Sequence, residues 1–149
     1  MADKTSYEAM RLLDVLAASN RQLRNFALRL SSYPGVEKVP TTLEPIYYQL
    51  GGELSNYRGQ IAGCVSANMV GGNAISWNLD VFWNEEHWLI QIYCAFYDSK
   101  TQNFNTFLSF PDKTATSFEE FLLKLEQAVA ELIDTVDINE VMPVVDKSQ

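Results

Sequence analysis

The single histidine, His87, follows two glutamates, Glu85 and Glu86, and precedes Cys94 by seven residues, a grouping of types that acid–base or thiol chemistry would use. One imidazole rules out any site that needs two histidine ligands. Along one strand, seven residues put the side chains of His87 and Cys94 on opposite faces about 23 Å apart, so they form no nucleophile pair there. Cys64 reaches His87 only if the uncertain stretch 53–70 brings it close. Otherwise Glu85, Glu86 and His87 read as the solvated tip of a hairpin. Gly71-Gly72 lacks the Gly-Lys-Ser/Thr of a phosphate loop and leads into a strand, and neither a Gly-x-Ser-x-Gly elbow nor a His-Glu-x-x-His helix occurs. The expectation is no catalytic residue, no metal and no cofactor.

The elements that would hold these residues are clearer. Ile75, Trp77, Leu79, Val81 and Trp83 alternate with Ser76, Asn78, Asp80, Phe82 and Asn84, the rhythm of a half-buried strand. Trp88, Ile90, Ile92, Cys94 and Phe96 resume it after the turn at 84–87. Folding the hairpin so that Trp83 opposes Trp88, Leu79 opposes Ile92 and Trp77 opposes Cys94 puts both apolar sets, and all three tryptophans, on the core side. A slip of one residue would turn one set into water. Phe104, Thr106, Leu108 and Phe110 predict a further strand, with Phe104 opposite Phe96.

Two helices frame these strands. Residues 5–31 read as one long helix opened by a capping box at Thr5-Ser6-Tyr7-Glu8, with Ala9, Leu13, Leu16, Asn20, Leu23, Ala27 and Leu30 on its apolar stripe. A second box, Ser117-Phe118-Glu119-Glu120, opens a helix whose face carries Phe118, Phe121, Leu122, Leu125, Ala128, Val129, Leu132 and Ile133. Residues 42–50 suggest a short helix. In 53–70, Leu54, Tyr57, Ile61 and Cys64 suit a helix, whereas Ile61, Gly63, Val65 and Ala67 suit a strand; Gly59 and Gly63 favour the strand. Residues 135–149 read as a loosely attached tail. The predicted fold is one α+β domain over 1–149, an antiparallel meander of three to four strands with both helices on one face.

On the other face the hairpin register gathers Asn78, Asp80, Gln91 and Tyr93, and the third strand adds Asn105, Phe107 and Ser109. Rings among short amides and hydroxyls, with one charge, have the composition of a recognition surface rather than a lysine- and glutamate-rich solvated one. Glu85 and His87 at the hairpin tip complete the candidate site. Whether residues 33–58 fold over this face is open.

Composition narrows the class of partner. With 47% hydrophobic and 20% charged residues the chain is globular, and a net charge of −8 argues against nucleic acid and anionic membranes. The charge is uneven: residues 1–38 hold six bases and four acids, so the first helix is mildly basic against a body of −10. The start MADKTSYEAM has no apolar run, and no span is long enough for a membrane, so a cytoplasmic protein with two reduced thiols is expected.

In outline the helix–sheet–helix order resembles small acidic toxin-immunity proteins and, more distantly, secretion chaperones, with no motif matched residue by residue. That likeness and the polar face imply a non-enzymatic, bacterial-style binding, inhibitor or regulator module that docks a protein partner on the open sheet face. Two other readings are a small-ligand or catalytic pocket between sheet and helices near His87, and a structural homodimer through the first helix.

Overall fold

Alternation of large apolar side chains every second residue sets the centre of the fold in this computed structural model, which describes residues 4–46, 59–83 and 87–134. In chain order the elements are α1 (Lys4–Ser31), β1 (Val36–Lys38), β2 (Thr41–Ile46), β3 (Gly59–Met69), β4 (Ala74–Trp83), β5 (Trp88–Asp98), β6 (Asn103–Ser109), β7 (Lys113–Ala115) and α2 (Phe118–Asp134). The seven strands form one sheet in the order β1-β3-β4-β5-β6, with β2 also on β3, β7 also on β5, and every pairing antiparallel.

The α+β antiparallel class therefore holds, with seven strands among the described residues in place of three to four. The additional strands, β1, β2 and β7, are short edge pieces. Val39-Pro40 separates β1 from β2, and Phe110-Pro111-Asp112 separates β6 from β7. A proline cannot donate to a ladder, so each edge is broken where one stands, which also blunts it against pairing with another chain. The short helix expected at 42–50 is strand β2 as far as Ile46: Thr41 to Ile46 pair residue by residue with Val65 to Gln60, and Pro45 is tolerated because β2 is an edge strand. Residues 47–50 lie outside the described residues, as does the expected tail at 135–149. Over 59–69 the strand alternative is the observed one.

The β4–β5 register is the expected one, with Trp83 opposite Trp88, Leu79 opposite Ile92 and Trp77 opposite Cys94. Trp77 is fully buried and meets Phe26 of α1 edge-on at 5.0 Å. Trp83 and Trp88 are half-buried: they stack on each other at 5.5 Å, and Trp88 stacks on Phe121 at 4.0 Å. The buried side chains of α1 and α2 join this core set in one cluster with Ile61, Val65, Leu79 and Ile92.

The phase of α1 differs from the expected stripe over its first half. Ala9 and Leu13 are exposed and Asn20 is half-buried, and Val15 and Ser19 are buried in their place; Leu23, Ala27 and Leu30 are buried as expected, joined by Phe26. That half is apolar on several sides, with Met10, Leu12, Leu13, Val15, Leu16 and Ala17, so packing selects the phase and spacing alone does not. Arg11 reaches Glu119 of α2 at 3.5 Å and fixes the two helix starts together. At the start of α2 the Ser117 half of the capping box forms, its Oγ accepting from Glu120 N–H, while the Glu120 carboxylate accepts from the N–H of Thr116, one residue ahead of the N-cap. No described helix is long and apolar enough to cross a membrane.

Candidate functional site

The side of the sheet away from the core is built as rungs across β3, β4 and β5. Ala62, Asp80 and Gln91 form one rung; Cys64, Asn78 and Tyr93 form the next, which Ser109 of β6 extends. Ser66, Ser76 and Ala95 follow, extended by Thr106. Of the expected site residues, the structure thus brings Asn78, Asp80, Gln91, Tyr93 and Ser109 together.

Hydrogen bonds lock the amides of this face. Asn78 Nδ2 donates to Ser76 Oγ at 2.9 Å, Ser66 Oγ donates to Asn68 Oδ1 at 2.8 Å, and Gln91 Nε2 donates to Asp112 Oδ2 at 3.4 Å. At the centre lies Asp80, whose carboxylate accepts from Gln60 Nε2 at 3.3 Å and from the Tyr93 hydroxyl. Burial pushes the Asp80 carboxyl above its ordinary value, against the lowering effect of those two donors. The Tyr93 phenol is pushed up to about 12, by burial first and then by the Asp80 charge beside it. Burial and the same carboxylate raise the Cys64 thiol. A half-buried carboxylate among neutral polar groups is a local cost to folding, and groups perturbed in this way collect at functional sites.

Beside this cluster the sheet opens into a groove of about 340 Å³, lined by Gln91, Ile92, Tyr93, Phe104, Thr106, Ser109, Phe110 and Asp112. The opening follows from a bulge. Ala95 pairs with Thr106 but Cys94 pairs with Leu108, so Phe107 is an extra residue without a partner on β5. The chain stays on β5 at Phe110, whose N–H donates to Ile92 O at 3.2 Å, and Pro111-Asp112 then leads into β7, which pairs with β5 from Ile90. Phe104, which lines the groove, remains 57% exposed, and Phe107 at the bulge 47%, large for apolar rings.

Three site expectations need correction. Phe104 pairs with Tyr97, not Phe96, one residue off the expected register, and past the bulge the offset becomes two, so Ser109 lies opposite Tyr93 and not Gln91. Asn105 is consequently opposite Phe96, on the core side of the pleat, and does not belong to the polar face, although it is exposed. Phe107 does not stack beside Tyr93; it stands at the bulge. His87 is half-buried just ahead of β5, whereas Glu85 lies outside the described residues. Residues 36–46 extend the sheet at the β3 edge and do not fold over this face.

Sequence reasoning missed Cys64 and Gln60, because the conformation of 53–70 was open. A strand reading of Ile61, Gly63, Val65 and Ala67 points Cys64 to this side at once. Cys64 and Cys94 lie on opposite sides of the sheet and are both free thiols. Among the described residues no cluster of His, Cys, Asp and Glu could hold a metal ion. No protein-family model matches the sequence, and no curated protein or solved structure is significantly similar to it.

Proposed function

We propose that this protein is a non-enzymatic interaction module, a binding, inhibitor or regulator protein, whose partner protein docks on the face around Asp80 and Tyr93. The observation that carries this reading is the juxtaposition of the half-buried Asp80 carboxylate and its polar partners with an open groove lined by exposed Phe104. A partner segment placing an apolar side chain against Phe104 and hydrogen-bonding groups against Gln91, Tyr93 and Ser109 uses both kinds of surface in the groove. Asp112 in its wall and the net charge of −8 favour a neutral or basic segment over an acidic one.

Capture on immobilised protein tests this: the partner is retained by the wild type and lost with Ser109→Trp, which fills the groove from an exposed position. Equal retention by both, or thermal stabilisation by a small metabolite in place of a protein, contradicts it.

A further inference from the structure

The exposed side of α1 carries a pattern that the core does not use. Met10, Asp14, Ala17, Arg21, Arg24 and Leu28 are all exposed, with Met10 at 66% and Leu28 at 69%, on the side of the helix opposite the buried Val15, Leu23 and Phe26. Successive spacings of four, three, four, three and four residues set them in a single straight seam. The seam is complementary to its own reverse. Laid antiparallel on itself about residue 19, it brings Met10 against Leu28, Asp14 against Arg24 and Ala17 against Arg21. A parallel arrangement would set Asp14 against Asp14 and Arg24 against Arg24, like charges facing each other.

A groove of about 360 Å³ opens beside this seam, lined by Arg24, Ala27, Leu28, Ser31, Val39 and Thr41. Leu13, 65% exposed, lies on the same flank of the helix as that groove. In an antiparallel pair related by a twofold axis, equal flanks meet, so Leu13 of the second copy arrives at the groove beside Leu28. We infer that α1 is a self-association surface whose occupant is a second copy of this chain, held by two Asp14–Arg24 pairs and by Met10 and Leu13 packed on Leu28. The stripe is not the Leu13, Leu16, Asn20 and Leu23 line expected from the sequence, in which Leu23 is buried in the protomer and Leu16 and Asn20 are half-buried. The twofold contact is on the helix side of the molecule and leaves the Asp80 face of each copy free.

Sedimentation equilibrium on the full chain tests the proposal. The wild type is a reversible dimer, and Asp14→Arg or Arg24→Asp alone weakens it about tenfold or more, since each reversal turns two attractions into repulsions. Mixing the two single variants restores association, because every contact in the mixed pair is again Arg against Asp. Leu28→Ser is monomeric, and all three variants keep the wild-type circular dichroism because the positions are exposed. A wild type that stays monomeric at every concentration, a dimer indifferent to either reversal, or a mixture no tighter than its components overturns the proposal.

Discussion

Trp77→Ala removes the side chain on which the two-sided reading of the sheet turns. Trp77 is fully buried, and its ring meets Phe26 of α1 at 5.0 Å, joining sheet to helix. An indole of this kind buries on the order of 200 Å², worth about 5 kcal/mol at roughly 25 cal/mol/Å². Its Nε1 finds no hydrogen-bond partner among the described residues. Truncation relieves that orphaned donor, returning about 1–3 kcal/mol, while the cavity it leaves adds a cost of its own. The net expectation is a loss of about 3–4 kcal/mol. For a domain of this size that lowers Tm by about 10 °C. Urea unfolding followed by circular dichroism measures it, with an unchanged denaturant slope showing that the unfolded state is unaffected. A loss below about 1 kcal/mol refutes the reasoning, because a surface ring would behave that way.

Asp80→Asn tests the half-buried carboxylate by its pH dependence. A carboxyl whose folded pKa lies above its unfolded value binds more protons when folded, so stability falls as pH rises through that interval. The variant lacks this dependence; its stability relative to the wild type, from melts across pH, should therefore fall as the pH drops from the raised Asp80 value toward the ordinary 3.8. A relative stability that grows over the same range marks Asp80 as a stabilising ion and contradicts the assignment. Native-state alkylation should leave Cys94, whose thiol burial pushes up to about 12, unmodified until unfolding, with Cys64 reacting more slowly than a free cysteine. Mass spectrometry after peptide digestion reads both, and fast native labelling of Cys94 is the contrary result. Gly72→Ala should cost about 1–2 kcal/mol by thermal melting, since φ is +99° and the new Cβ would sit 3.0 Å from Ser99 Cβ. A neutral change there shows that the turn relaxes freely.

The β4–β5 hairpin was legible in the sequence down to each paired residue, because a one-residue slip would expose five large side chains and nothing else competes with that penalty. The edges were not. β1 and β7 have three residues each, too few for a period to register, and β2 holds a proline that reads as punctuation before its pairing is known. The bulge at Phe107 was invisible for a related reason: Phe104, Thr106, Leu108 and Phe110 alternate as an unbroken strand would, and only the ladder reveals the extra residue. The candidate face divides along the same line. Asn78, Asp80, Gln91 and Tyr93 follow from the hairpin register. The Cys64 and Gln60 contributions and the groove walls at Phe104, Thr106 and Asp112 depend on neighbouring strands whose register had no comparable penalty behind it.

Binding of the purified partner to Tyr93→Ala tests the docking face most directly. The ring and hydroxyl of Tyr93 line the groove and contact Asp80, yet the residue lies outside the core cluster. Kd should rise by about tenfold or more while Tm stays within a few degrees of the wild type. An unchanged Kd, or a weakened Kd that merely follows a collapse of the fold, contradicts the account.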